Sequence, residues 1–205
     1  MPQLPDLSDI RSELDDRFNA REVALKRGRD VIRSSANAIR ALHRRELEEA
    51  DERIATADSV RDEILETMRD QPGMVHAGFV SDAMKELAEA HITRALLTDQ
   101  EIPGPDDLKI DPIPWLHGLG EAVGELRRRM LDDLRAGAVE EAERLLEAMD
   151  EIVDVLAGID YPDGMTNGLR RTTDVARSLV ERSRADLTAT VVQERLRTTL
   201  EERGV

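Results

Sequence analysis

One segment combines an apolar stripe, three glycines and an acidic pair: Gly118-Leu119-Gly120-Glu121-Ala122-Val123-Gly124-Glu125-Leu126-Arg127-Arg128-Arg129. Its apolar residues, among them Leu119, Val123 and Leu126, recur at three- and four-residue spacing, which predicts an amphipathic helix. Glu121 and Glu125 lie one turn apart on the opposite side of that helix. Each interior glycine costs about 1 kcal/mol relative to alanine, so the three glycines indicate that another backbone or a ligand comes close.

A second acidic pair precedes it in Lys85-Glu86-Leu87-Ala88-Glu89-Ala90. Glu86 and Glu89 are spaced i, i+3 and therefore share a helix face, with Asp82 one turn earlier. If the two helices are neighbours, three or four carboxylates converge, and hard cations such as Mg²⁺ or Mn²⁺ take carboxylate oxygens. Such an ion can activate water and stabilise charge on a phosphodiester. The alternative is a pair of solvated faces, with a surface ion pair between Glu125 and Arg129.

The remainder of the chain predicts an all-α protein, because strong helix formers dominate and no stretch alternates like a strand. We expect a single domain over residues 1–205, an antiparallel bundle of six or seven helices, with residues 1–7 as a disordered tail. The predicted helices run from Ser8 to about Arg44, through Ile54 to a break at Gln71-Pro72-Gly73, from about Val75 to Leu97, from beyond a proline-rich connector at 102–114 to Gly137, over Val139–Ala157, and from near Met165 to about Glu202.

Composition and charge narrow the class of protein. Aromatic residues are only 2% of the 205, so the core must be aliphatic, and the absence of cysteine excludes disulfides and thiolate metal sites. No apolar run reaches the ~18 residues of a membrane span, and a cytoplasmic protein is expected. The net charge is −15 and only three of the 29 basic residues are lysine. An excess of acidic residues with few lysines is typical of proteins from a salt-rich cytoplasm such as that of haloarchaea, although a GC-rich genome would also favour arginine over lysine.

Histidines and arginines supply the other candidate contacts. His76 and His91 lie on the apolar face of the third predicted helix with Arg94, where they are either buried, hydrogen-bonded side chains or contacts to RNA phosphate. The runs Arg127-Arg128-Arg129 and Arg170-Arg171 either bind phosphate or form solvated ion pairs. No His-x-x-x-His or Glu-x-x-His pair is present, which argues against a histidine-containing zinc or di-iron site. No phosphate-binding glycine loop of the common kinds is present either.

Taken together, these stretches resemble the translin and translin-associated factor X (Trax) family, from about Arg21 to Arg203. The segment at Arg29-Asp30-Val31-Ile32-Arg33-Ser34 resembles the family's first long helix. The segment around Glu86 and Glu89 resembles the Trax segment with two catalytic glutamates. The segment around Glu121 and Glu125 resembles the Trax segment in which an aspartate and a glutamate lie four residues apart. Asp160-Tyr161-Pro162 and Gly168-Leu169-Arg170-Arg171-Thr172-Thr173-Asp174 resemble its C-terminal region.

The resemblance implies a translin-like α-superhelical fold and a homo-oligomer, an octameric shell that binds RNA and single-stranded DNA inside. It also implies a Mg²⁺-dependent (or Mn²⁺-dependent) endoribonuclease. Its catalytic and metal-binding residues would be Glu86, Glu89, Glu121 and Glu125. His91, Arg94, Arg128 and Arg129 would contact nucleic acid.

Three alternatives stay open. The first is a translin-like binding protein for RNA or single-stranded DNA without catalysis. The second is an all-α nucleotide pyrophosphohydrolase of the MazG type, although its second acidic pair is spaced Glu-x-x-Asp, unlike Glu121 and Glu125. The third is a purely structural helical oligomer, in which the acidic residues are merely solvated.

Overall fold

The structure is a computed structural model that describes residues 6–69 and 78–203. Seven helices lie in these two ranges: α1 (Ser8–His43), α2 (Leu47–Thr67), α3 (Gly78–Leu97), α4 (Pro112–Arg135), α5 (Val139–Ala157), α6 (Asp163–Thr166) and α7 (Leu169–Glu202). No strand occurs within them. The predicted all-α class, with a long first and last helix, is therefore confirmed.

The core is aliphatic and centres on α4, as the scarcity of aromatic residues requires. α4 packs on α3, α5 and α7, while α1 packs on α2 and α3. Leu126 and Met130 of α4 are fully buried, together with Leu87 of α3 and Leu145 and Met149 of α5. The apolar stripe predicted for α4 thus faces the interior, which leaves Glu121 and Glu125 on its other side.

Both long helices extend beyond this core. The first buried residue of α1 is Ala24, so the helix from Ser8 to Val23 has no buried side chain. The last buried residue of α7 is Leu187, although the helix continues to Glu202. The uncovered part of α1 carries Ile10, Leu14 and Phe18, each more than half exposed.

The break between α1 and α2 lies at Arg45, where no glycine or proline marks it. Arg45 has φ +64°, a left-handed conformation. The backbone N–H of Glu46 donates to Ala41 O at 3.0 Å, and that of Arg45 donates to Leu42 O at 3.0 Å. This pair of hydrogen bonds is a Schellman motif, which normally has glycine at the left-handed position.

Two predicted boundaries need correction. Pro112 and Pro114, assigned above to the connector, lie in the first turn of α4, where proline is favoured because its missing N–H has no helical partner. The last long helix begins at Leu169 rather than near Met165. The left-handed residues Asn167 and Gly168 separate it from the short helix α6.

Some predictions fall outside the described ranges. His76, the break at 71–73 and the first three residues of the predicted third helix lie between the two ranges. Of the predicted tail, only Asp6 and Leu7 are described, immediately before α1. Within the described chain, no helix is long and apolar enough to cross a lipid bilayer.

Candidate metal centre

Three of the four predicted acidic residues meet where α3 crosses α4. One carboxylate oxygen from each of Glu86, Glu89 and Glu121 lies within 4.8 Å of the other two. Glu86 and Glu89 come from successive turns of α3, and Glu121 comes from α4. Asp82 is exposed and is not part of this group. The convergence predicted from the two spacings is therefore present for these three side chains, which we call the carboxylate trio.

Gly118 lets the two helices approach closely enough for this meeting. A Cβ at Gly118 would lie 2.8 Å from Lys85 O, 2.9 Å from Ala88 Cβ and 2.9 Å from Glu89 N. Two of these atoms belong to the backbone of α3, so no side-chain rotation can make room. The trio thus depends on a glycine one turn before Glu121, because a side chain there would push α3 away.

A lysine stands among the trio. Lys85 Nζ lies 2.7 Å from Glu121 Oε2, 2.8 Å from Glu121 Oε1 and 3.3 Å from Glu86 Oε1. Burial alone would lower the pKa of Lys85, but the hydrogen bond and negative charge of Glu121 hold that pKa above its usual value. The ammonium group therefore neutralises part of the negative charge in this structure.

Glu89 is the most buried member of the trio. It is 8% exposed, and burial raises its pKa to about 8, with the negative charges of Glu86, Glu121 and Glu125 adding to the shift against the opposing charge of Lys85. A carboxyl group shifted this far holds its proton at neutral pH unless a further cation arrives.

Glu125 turns toward α1 rather than into the trio. Its Oε2 accepts a hydrogen bond from Nε2 of His43, whose side chain is 4% exposed. That hydrogen bond lowers the pKa of Glu125 against the opposing effect of burial, and the charge of Arg128 adds to the lowering. In the described part of the chain, Nδ1 of His43 is buried and has no hydrogen-bond partner.

The predicted nucleic-acid contacts lie in three different settings. His91 Nε2 is 3.1 Å from Asp58 Oδ1 on α2. Arg94 forms an ion pair with Asp51 of α2 at 2.7 Å, and Arg129 forms one at 2.9 Å with Asp133. Arg128 is exposed.

Asp133 binds a second arginine besides Arg129. It is 1% exposed and also accepts a hydrogen bond from Arg45 at 2.8 Å. Arg94 thus joins α3 to α2, whereas Arg129 pairs within α4. The nucleic-acid role of all four residues stays a prediction.

Sequence reasoning did not find the roles of Lys85 and His43. Lys85 is four residues before Glu89, a spacing that suggests a pair along one helix, yet it reaches across to α4. His43 and Glu125 are 82 residues apart, so only the tertiary fold, which brings the end of α1 to Glu125, places them in contact.

Comparison with known proteins gives relatives across almost the whole chain. An uncharacterized protein of Methanocaldococcus jannaschii is 27% identical over 197 residues, 95% of this chain and 86% of that protein. No family model matches the sequence. The crystal structure of AfC3PO has a TM-score of 0.83 at 32% identity, covering 91% of this chain and 97% of that one.

Two further solved structures are similar. AfC3PO in complex with duplex RNA has a TM-score of 0.80 at 33% identity, covering 91% of this chain and 97% of that chain. The structure of apo-NeC3PO has a TM-score of 0.82 at 18% identity, covering 93% and 100%. The last likeness concerns the fold alone.

Proposed function

The chain belongs to the translin/C3PO family, and from that premise we propose that it binds RNA and cleaves it as a Mg²⁺- or Mn²⁺-dependent endoribonuclease. The observation that carries the proposal is the meeting of three carboxylate oxygens within 4.8 Å across two helices. Phosphodiester cleavage needs an electrophile for the phosphate and an activated water, and a divalent cation held by carboxylates supplies both.

The side chains present fit such an ion. All three donors are hard oxygens, the kind that Mg²⁺ and Mn²⁺ prefer. Glu89 is buried beside other acidic side chains and its pKa is raised to about 8, so a further positive charge would relieve an unfavourable arrangement. Glu86, Glu89 and Glu121 would hold the ion. When bound, it would polarise the phosphate and lower the pKa of water.

Other side chains prepare this site. Lys85 holds Glu121 and Glu86 together, and its ammonium group would have to move aside for a divalent ion. His43 holds Glu125 as a carboxylate beside the trio, close enough for its charge to raise the pKa of Glu89. We therefore keep Glu125 as a proposed catalytic residue and metal ligand, with His43 as its positioning residue.

We further propose that the protein works as a homo-oligomer, with an octameric shell as the assembly that the family resemblance implies. The support is the apolar stripe on the uncovered part of α1, where Ile10, Leu14 and Phe18 are 54%, 56% and 60% exposed. These residues are spaced i, i+4, i+8 and so lie along one face. Contact with another copy would remove that face from water.

One observation favours a second candidate, an RNA-binding protein without catalysis. The ammonium group of Lys85 already lies on two of the three carboxylates, which would suffice to stabilise the crossing without any metal. The relative AfC3PO has been solved with duplex RNA, so binding is common to both candidates. Cleavage is what separates them.

The test is cleavage of an end-labelled RNA of about 20 nucleotides in Mg²⁺, in Mn²⁺ and in EDTA. We expect products only with a metal ion, and a loss of at least 100-fold in rate in Glu89→Gln and in Glu121→Gln. Glu147→Gln is the matched control, because Glu147 is an exposed glutamate on α5. Fluorescence anisotropy of the same RNA should show binding retained in every variant.

Each result has a distinct consequence. Binding without cleavage in the wild-type protein would establish the second candidate. Cleavage that persists in EDTA, or in Glu89→Gln at the wild-type rate, would refute the metal centre.

A further inference from the structure

A cleft opens beside the carboxylate trio, between α4 and the first turns of α7. Its volume is about 390 Å³. Glu89 and Glu121 line one side, while Arg171, Val175 and Leu179 line the other. The proposed metal centre therefore forms one wall of a cavity whose opposite wall belongs to a different helix.

The opposite wall is held firmly in place. His117 of α4 joins two parts of the chain at once, with Nδ1 2.9 Å from Thr172 Oγ1 and Nε2 3.0 Å from Thr166 O. Gly120 lets α7 come close, because a Cβ there would lie 2.5 Å from Thr172 Cγ2. Arg171 precedes Thr172 directly, so its backbone has a fixed position relative to Glu121, which directly follows Gly120.

Arg171 is chemically available in this cleft. It is exposed, and among the described residues it forms no ion pair. Its neighbour Arg170 lines a separate cavity with Asp160 and Tyr161, and its guanidinium lies 3.9 Å from Asp160. Of these two adjacent arginines, only Arg171 faces the trio.

The cleft combines three features that suit one nucleotide of an RNA strand. The guanidinium of Arg171 can donate two parallel hydrogen bonds to a phosphate. Val175, 54% exposed, and Leu179 offer apolar contact to a ribose or base. The negative charge of the trio on the facing wall repels a polyanion, and the positive charge of Arg171 opposite it offsets that repulsion.

We propose that Arg171 binds a backbone phosphate of the RNA next to the one positioned at the trio. This subsite rests on the proposed function, since it concerns the substrate of the same centre. It makes Arg171 a substrate-binding residue that fixes the strand on the α7 side of the cleft.

The experiment measures binding of a 5′-fluorescein 12-nucleotide oligouridylate by anisotropy, in Mg²⁺ and in a Glu89→Gln background that prevents degradation. We expect Arg171→Ala to weaken binding about five- to tenfold and to lower the salt slope, d log K/d log[salt], by about 0.7. Arg171→Lys should recover part of this loss, because it keeps the charge but not the paired hydrogen bonds. Arg170→Ala is the matched control and should stay within about twofold of its parent.

Arg171→Ala within twofold of its parent, or an equal loss in Arg170→Ala, would overturn the subsite. Absence of RNA binding in every variant would overturn it together with the proposed function. Weaker binding in Arg171→Ala from a wild-type protein that never cleaves RNA would leave the subsite standing and refute only the nuclease. Circular dichroism melting of each variant is the control for folding. We expect unchanged melting for the Arg171 variants, because Arg171 is exposed.

Discussion

Substitution of Gly118 by alanine tests the contact on which the site depends. An added Cβ would lie 2.8–2.9 Å from three atoms of α3, whereas ordinary van der Waals contact begins at 3.4 Å. Each contact therefore has to open by about half an ångström, and because two of the atoms are backbone, α3 has to move as a body. Such overpacking costs about 1–3 kcal/mol. The higher helix propensity of alanine offsets about 1 kcal/mol of this destabilisation.

We therefore expect Gly118→Ala to lose up to about 2 kcal/mol of the free energy of unfolding. In urea titrations at one fixed protein concentration, this corresponds to a midpoint lower by roughly 0.5–1 M. The shift should also separate Glu121 from Glu86 and Glu89. We expect Mg²⁺ to raise the midpoint of the variant less than that of the wild-type protein, because ligand binding stabilises in proportion to affinity.

Gly124→Ala is the matched control on the same helix. A Cβ there meets only Leu179 Cδ1, at 3.9 Å, so the variant should be as stable as the wild type or gain up to about 1 kcal/mol. If Gly118→Ala unfolds at the same midpoint as the wild-type protein or later, the close crossing is not what holds the trio together.

Three further predictions concern charge. In metal-free protein, the pKa of Glu89 is raised to about 8, so the folded state binds the extra proton and its stability should fall as pH rises from about 4.5 to 8. Urea titrations should show a flatter pH profile in Glu89→Gln, and calorimetry in two buffers should show proton release on Mg²⁺ binding at pH 7. Lys85→Met should tighten Mg²⁺ binding severalfold by calorimetry, because the competing ammonium is gone; weaker binding would mean that Lys85 orients Glu121. His43→Gln should raise the pKa of Glu125, whose lowering comes first from the His43 hydrogen bond. The ionised Glu125 stabilises the folded state fully above its unfolded pKa of about 4.5, and this stabilisation is lost as pH falls through its lower folded pKa. The variant should therefore lose about 1–3 kcal/mol of the free energy of unfolding at pH 7 and less at pH 3. An equal loss at both pH values would contradict this.

The fold could be predicted where periodicity alone decides it. The apolar stripe of α4 and the span of α5 follow from residue spacing, and both are confirmed. The end of α1 was predicted to within one residue, but the left-handed turn that follows it could not be predicted, because it falls on Arg45, a residue with no intrinsic preference for a left-handed backbone. Pro112 was misassigned because proline both breaks helices and begins them. Its presence alone therefore does not show whether a residue precedes a helix or starts one.

The site divides in the same way. Helical spacing showed which glutamates share a face, and Gly118 indicated a close approach. Helical spacing could not show that Lys85 would reach Glu121 instead of Glu89, since that depends on the distance between α3 and α4. Nor could it show that Glu125 would contact His43, because a contact between residues 82 apart is set by tertiary packing.

The parts of α1 and α7 that extend beyond the core set a length scale for any partner that packs against them. Residues Ser8 to Val23 extend about 24 Å at 1.5 Å per residue. No member of the carboxylate trio lies on this arm, so a partner that packs against it does not compete for the proposed metal ligands. Substitutions in this arm can therefore change what packs against it without touching the proposed metal ligands, so association and chemistry can vary independently.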